Sequence, residues 1–391
     1  MIVLIGTNSE NGMRYTEENK MDRKIGLYIH IPFCIKKCKY CDFISFCDKN
    51  KYFDEYIDKL LIEAKEYKGM NVDTVFIGGG TPTVFNEKQI ERLILGIREI
   101  FLISDDAEFS VESNPGTLSL EKLLALKRCG INRLSIGVQS FNDTELKAIG
   151  RIHNCNDAYK AVEDAKRVGF ENINIDLMLN LPKQTINSLE KNLKTATMLD
   201  VSHISCYSLI LEENTPLYKE YQNGVYTQAT DDYDRELYHF TTQYLKEQGY
   251  NRYEISNFCK PLKECKHNIK YWSCKEYVGL GVAAHSYLDG IRYFNTSDFG
   301  EYINGEFHKP DREILSDTDK ICEYMIMKLR MSEGINDNEF FSLFGVRIED
   351  IYKSELDKFQ KLGLLIKKNS NYFLSDYGID ISNLVLCEFI R

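Results

Sequence analysis

The feature that most constrains the fold is an alternation of short apolar strands with amphipathic helical stretches. Residues 25–30, 74–77, 109–112, 133–138, 173–177 and 203–209 read as strands. Helical stretches lie between them at 51–68, 87–101, 120–129, 157–168 and 188–199. Strands joined through helices need crossover connections, which produce a parallel sheet. Right-handed crossovers either coil such a sheet into a (β/α) barrel or lay it flat with helices on both faces. A flat sheet covered on both sides is apolar on both faces. Here Phe109 and Val111 share one face, while Ser110 and Glu112 share the other. Asn174 and Asp176 oppose Ile173, Ile175 and Leu177 in the same way, and Tyr28 and His30 oppose Leu27 and Ile29. Gln139 follows Ser135 and Gly137 on the polar side of its strand. Polar groups near the C-terminal strand ends favour the barrel, whose sites lie at that end. Leaving Glu112 or Asp176 buried and unpaired costs on the order of several kcal/mol, so each needs a partner.

The rhythm fades after about residue 231. A long helix is expected over 231–248, followed by a stretch rich in aromatic residues and cysteine at 252–288. Further helices read at 317–331 and 349–362, with a small β wing at 365–374. The expected architecture is α/β: a partial parallel (β/α)6 barrel over 25–230, then a smaller, mostly helical C-terminal domain over 231–391. Residues 1–24 are polar and unpatterned and read as a tail, with Met21 as an alternative start. Lys and Arg number 49 against 59 Asp and Glu, a formal charge of −10, which argues against a general nucleic-acid or anionic-membrane binder. No uncharged apolar run approaches the ~18 residues of a membrane span. The opening MIVLIG has no basic leader and no small-residue cleavage site, so export is not expected. The 12 cysteines are far too few for a disulfide scaffold, which needs ~8–10 %. Their thiols are expected to be free or metal-bound in a reducing, cytoplasmic setting.

Chemistry enters directly after the first strand. Cys34-Ile-Lys-Lys-Cys38-Lys-Tyr-Cys41 has the spacing C-x-x-x-C-x-x-C. Three thiolates on one short loop hold three irons of a [4Fe-4S] cubane and leave the fourth open to a ligand. Lys36, Lys37 and Lys39 favour the thiolate forms. The alternative is zinc, which needs a fourth ligand such as Cys47. Gly78-Gly79-Gly80-Thr81-Pro82 ends the second strand, and the absence of a following G-K-[ST] excludes a nucleotide P-loop.

The run from Tyr28-Ile-His30-Ile-Pro32-Phe33-Cys34 through Cys41 resembles the radical S-adenosylmethionine (SAM) superfamily, in its coproporphyrinogen-oxidase-like branch. The resemblance extends from Gly26 to the C-terminus. It implies that the open iron binds SAM, that Tyr28, Gly79, Gly80, Thr81 and Glu112 contact SAM, and that Tyr40 lies against it beside the cluster. Gln139, Arg151 and Asp176 match further SAM-binding positions of the family. Leu179-Asn180 replaces the family's usual aromatic-Gly pair. The segment from Gly279 to Ser286 resembles a family loop near the SAM site, with Val282 and Ala283 at usual glycine positions, and makes His285 a further candidate.

That branch holds oxygen-independent coproporphyrinogen oxidases and HemW-type heme chaperones. The oxidases resemble C-x-x-x-C-x-x-C-x-C, where this chain has Phe43, and they carry a longer N-terminal arm than the 27 residues before Tyr28. The chaperones share an H-N-x-x-Y-W motif, present as His267-Asn268-Ile-Lys-Tyr271-Trp272. The expected function is therefore a heme chaperone with a radical-SAM [4Fe-4S] cluster and SAM. The alternatives are SAM-dependent oxidative decarboxylation of coproporphyrinogen, or another radical-SAM reaction on a tetrapyrrole. The expected partners are heme or a related tetrapyrrole, a heme-acceptor protein and an electron donor, with neither nucleic acid nor a membrane anchor. His267, Asn268, Tyr271 and Trp272 are the heme candidates: imidazole ligates heme iron, and aromatic rings stack on porphyrin. Lys260, Lys263, Lys266 and Lys270 suit propionates, and Cys259, Cys265 and Cys274 read as free thiols.

Overall fold

Six strands follow one another in space as they do in sequence. They are β1 (Lys24–Ile31), β2 (Asn71–Gly79), β3 (Leu102–Ser113), β4 (Arg133–Gln139), β5 (Asn172–Leu179) and β6 (His203–Ser208). Every neighbouring pair is parallel. This is the expected partial (β/α)6 barrel, here in a computed structural model describing residues 23–391. The tail expected over 1–24 falls almost wholly outside the described residues.

The helices over Phe53–Ala64, Glu87–Ile100, Leu120–Arg128, Cys155–Val168 and Ile186–Met198 turn their apolar stripes onto the outer face of these strands. Local chemistry sets their ends. Asn86 with Gln89, Asn154 with Asp157 and Thr185 with Ser188 form capping boxes, which satisfy backbone N–H groups left over at a helix start. Gly169, at φ 93°, supplies the left-handed turn that ends the Cys155–Val168 helix.

The C-terminal region adds more sheet than its periodicity suggested. On the far side of β6, β8 (Asn257–Cys259) pairs antiparallel with it and with β7 (Asn251–Arg252). On the other side, β9 (Tyr277–Leu280) pairs parallel with β1. The sheet continues antiparallel through β10 (His285–Leu288), β11 (Ile291–Asn295) and β12 (His308–Ile314). The helices expected at 231–248, 317–331 and 349–362 form as Asp231–Glu247, Asp317–Leu329 and Ile348–Lys361. The wing is the hairpin β14 (Leu365–Lys368) and β15 (Asn371–Leu374), joined by β13 (Ile335–Asn336). Among the described residues no helix is long and apolar enough to cross a membrane.

One buried carboxylate ties the two halves together. Glu63, on the first helix, accepts from Gly281 N–H at 3.0 Å, Asn295 Nδ2 at 2.6 Å and Tyr302 O–H at 2.5 Å. Burial outweighs these bonds and pushes its acid up to about 7. A folded-state value above the ordinary 4.5 means that ionisation opposes folding, so stability falls as pH rises from about 4.5 through 7. Glu63→Gln is expected to flatten that part of the wild-type unfolding-temperature profile. Parallel profiles for the two proteins would show that Glu63 does not titrate there.

Candidate functional site

The C-terminal ends of the six strands open on a pocket of about 400 Å³. Cys34, Cys38, Tyr40 and Cys41 reach it from the loop after β1, and Gly79, Gly80 and Thr81 from the end of β2. Glu112, Gln139 and Asp176 project from β3, β4 and β5, and Arg151 enters from the segment after β4. Eight of the nine residues matched to SAM therefore share one pocket with the three cysteines. Tyr28 is the exception: it is half-buried and does not line the pocket. Its ring lies against Phe76, with centroids 6.4 Å apart, and its hydroxyl is 2.9 Å from His30 Nδ1. His30 Nε2 lies 3.0 Å from the Ile44 carbonyl, which can only accept, so Nε2 carries the proton and Nδ1 accepts from Tyr28.

A ring of polar contacts connects two of the thiols. Cys34 Sγ is 3.6 Å from Thr81 Oγ1, which accepts from Asn114 Nδ2 at 2.7 Å. Asn114 Oδ1 accepts from Arg151 at 2.5 Å, and the same guanidinium donates to the Gly137 carbonyl and to Cys38 Sγ at 3.4 Å. Arg151 Nε is buried without a partner. Arg151 thus fixes the loop to β3 and β4 while keeping one donor unspent.

The two carboxylates sit across from this ring. Glu112 accepts from Gly79 N–H at 3.0 Å, and burial followed by the nearby charge of Asp176 raises its acid to about 8. Burial also raises Asp176, against the pull of Asn174, Ser205, Arg151 and Arg133. Two acids that resist ionising side by side suit a cationic group placed between them.

The thiols follow burial more than the lysines. Burial pushes Cys34 up and Cys41 up to about 11, while Lys37 lowers Cys41 only secondarily. Lys37 Nζ is spent on the Phe43 carbonyl at 2.7 Å and Lys39 Nζ on Glu220 at 2.6 Å. Among the described residues no three His, Cys, Asp or Glu side chains are grouped to hold one metal ion. Phe43 occupies the pocket lip, 61 % exposed. The glycine triplet serves packing as well as the pocket. A Cβ on Gly79 would stand 2.4 Å from the His30 ring, and one on Gly80 2.6 Å from the Phe33 carbonyl.

The 267–272 motif lies at the opposite end, where its helix, Lys266–Trp272, closes the barrel floor. Glu108 of β3 accepts from the Lys266 and His267 N–H groups at 3.1 and 3.0 Å. His267 is 1 % exposed, and its ring stacks on Phe76 with centroids 5.3 Å apart. Its Nδ1 lies 2.9 Å from Thr74 Oγ1 and its Nε2 2.8 Å from Tyr271 O–H. Burial lowers its pKa to about 3. Asn268 and Tyr271 are half-buried; Trp272 lies under the Arg330 guanidinium, 4.7 Å from the ring centroid, with Nε1 buried and unpartnered. Of the lysines assigned to propionates, Lys260 pairs with Asp200 and Lys270 with Asp73. Cys259 and Cys265 are buried, Cys274 is half-buried, and all three are free. His285 is exposed on β10 beside Phe294 and does not line the pocket.

Sequence reading missed Asn114 and the end of β6 with the stretch that follows it, where Tyr207, Ser208, Leu209, Ile210 and Glu212 complete the wall. Their signal was positional: like the other wall residues, they lie at or just beyond a strand's C-terminal end.

Comparison with known proteins agrees with this geometry. The radical SAM superfamily profile matches residues 28–196, and the HemN C-terminal domain profile matches 315–381. The chain is 38 % identical to the heme chaperone HemW of Bacillus subtilis over 373 residues, covering 93 % of this chain and 98 % of that protein. It is 33 % identical to the heme chaperone HemW of Escherichia coli over 376 residues, covering 94 % and 98 %. The solved structure of the Escherichia coli coproporphyrinogen III oxidase HemN shares the fold, with a TM-score of 0.83 at 24 % identity, over 96 % of this chain and 94 % of that one. Matched along nearly its whole length by these relatives, with three thiols, two carboxylates and an arginine gathered at the barrel mouth, the chain belongs to the HemW family of the radical SAM superfamily.

Proposed function

We propose that this chain is a heme chaperone that holds a [4Fe-4S] cluster and SAM at the barrel mouth and delivers heme to an acceptor protein. The observation that carries the reading is the convergence of Cys34, Cys38 and Cys41 with Glu112, Arg151 and Asp176 on one pocket, while Phe43 stands where an oxidase-like fourth cysteine would be. The residues fit the group. Three thiols on one loop suit three separate irons, and the spare Arg151 Nε and the Glu112–Asp176 pair suit a zwitterionic ligand. In this reading Gly79, Gly80, Thr81 and Glu112 bind the amino-acid end of SAM. Gln139, Arg151 and Asp176 orient the remainder, Tyr40 lies alongside, and Tyr28, close enough for the Glu112 charge to act on its hydroxyl, is kept as a proposed contact. When bound and reduced, such a cluster supplies the electron that cleaves SAM to a 5′-deoxyadenosyl radical.

His267, Asn268, Tyr271 and Trp272 remain the proposed heme contacts, on one condition. For His267 to ligate iron, its ring must leave Thr74 and Tyr271, so the Lys266–Trp272 helix must lift from the barrel floor. An electron donor for the cluster and a heme-accepting protein complete the scheme. The twelve free cysteines favour a reducing compartment such as the cytoplasm. We retain 25–230 and 231–391 as proposed units of sequence, across which one sheet runs.

The test is an anaerobic hemin titration of the cluster-reconstituted protein, read at the Soret band. Saturable, equimolar uptake is expected, and a weak rise that never saturates would overturn the carrier reading. With SAM and reductant present, no protoporphyrinogen is expected from coproporphyrinogen. Its formation would mark the chain as the enzyme instead.

A further inference from the structure

Phe33 and Phe46 form an isolated parallel bridge at the base of the cysteine loop. Its hydrogen bonds run from Phe46 N–H to the Pro32 carbonyl, 2.7 Å, and from Cys34 N–H to the Phe46 carbonyl, 3.1 Å. Partners in such a bridge point to the same side, and their chain neighbours to the other. Both rings turn inward onto Phe299, with centroid distances of 6.0 and 5.2 Å. Cys34 and Cys47 follow these two residues directly, so alternation places both on the side of the bridge away from Phe299. Paired chains lie about 4.8 Å apart. That spacing is inside the window of about 4.4–6.8 Å between Cα atoms that a disulfide spans. Both thiols are free, Cys34 half-buried at the pocket and Cys47 exposed. The electrostatic influence of Cys47 on the Cys34 thiol exceeds that of Cys38, the next cysteine of the motif.

We infer that Cys34 and Cys47 are a redox-active thiol pair, a modification site for low-molecular-weight disulfides that closes when Cys34 carries no iron. This rests on the reading of Cys34 as a cluster ligand. The exposed Cys47 thiolate attacks one sulfur of the small disulfide, whose S–S bond breaks and releases one thiol. The Cys34 thiolate then attacks the Cys47 sulfur of the mixed disulfide and releases the second thiol. Two protein thiols are oxidised, one small disulfide is reduced to two thiols, and the two protons pass to those leaving groups. A loop that has lost its iron is thereby held with one ligand withheld, safe from oxidation beyond the disulfide, until a reductant reopens it. Cys47 lies outside the C-x-x-x-C-x-x-C motif, so the device is separable from cluster binding itself.

The experiment uses the full-length, iron-free protein treated anaerobically with glutathione disulfide. Free thiols are then blocked, and the chain is digested without reductant by trypsin and by cleavage before Asp42, which separates Cys41 from Cys47. The expected product is a cross-link between the Cys34 and Cys47 peptides. Cluster reconstitution without thiol reductant should then be lost, and it should return with dithiothreitol. Cys47→Ser should reconstitute as well after glutathione disulfide as before. Cross-links confined to Cys34, Cys38 and Cys41, Cys47 recovered only as its glutathione adduct, or equal loss in Cys47→Ser would each overturn the inference. If the reduced wild-type protein takes up no iron at all, it is the cluster reading that fails.

Discussion

Gly80→Ala is expected to give a chain that still folds but retains little cluster iron. Gly80 N–H donates to the Ile31 carbonyl at 2.9 Å, and Thr81 N–H to the Phe33 carbonyl at 2.7 Å. This seam fastens the end of β2 to the root of the cysteine loop. An added Cβ would lie 2.6 Å from the Phe33 carbonyl oxygen and 2.8 Å from both Ile31 O and Phe33 N, all of them backbone atoms. A flexible side chain could yield to such a contact, but here the two backbones must part. Overpacking of this kind costs about 1–3 kcal/mol. That is a minor share of the ~5–15 kcal/mol that holds an ordinary domain together, so the barrel survives. Cys34 is next to Phe33 and Thr81 next to Gly80, so the displacement falls on the thiol itself. Iron per folded chain after reconstitution, beside a circular-dichroism spectrum, measures the effect. Wild-type iron content in the variant would show that the seam does not place Cys34.

His267→Ala is expected to lower the unfolding temperature sharply. Removing a fully buried ring leaves a cavity between Phe76 and the helix above it, a loss of about 3–5 kcal/mol for aromatic truncations. Thr74 Oγ1 and Tyr271 O–H would each lose a partner inside the floor, which adds to the cost. Together these correspond to a fall on the order of 10 °C in a domain of this size. Thermal denaturation of the iron-free protein measures it. Hemin uptake by the folded variant at low temperature then separates floor packing from iron ligation. An unchanged melting curve would overturn the packing role, and lost hemin binding beside it would leave His267 with iron ligation alone.

The six inner strands were legible because their alternation is strict: Phe109 and Val111 against Ser110 and Glu112 leave one register that buries the first pair. The first half of β3, Leu102 to Ala107, was not. It carries Asp105 and Asp106 at exposed positions beyond the barrel's core, so no apolar face announces it. The β10–β11 hairpin was missed although its turn is written plainly. Asp289 and Gly290, at φ 54° and 74°, form the Asp-Gly pair that a tight two-residue hairpin requires. At the site, cysteine spacing and inward-facing acids could be read from the residues alone. Burial of His267 could not, because its flanks are Lys266, Asn268 and Lys270, and a lysine-rich stretch reads as surface until Glu108 and Asp73 appear beneath it.

The two outer edges of the six-strand arc are covered by strands from far downstream: β1 by β9, and β6 by β8. On the ribosome, β1 is the first of the six to be made, yet its covering strand at Tyr277–Leu280 follows some 250 residues later. At ~5–20 residues per second that interval is roughly 10–50 s. Throughout it the nascent chain offers an open strand edge, and directly after that edge come three unoccupied thiols. The covalent order of this chain thus makes the first-made of the six barrel strands the last of the six to be enclosed, and places that interval of exposure to aggregation and to stray metal before release from the ribosome.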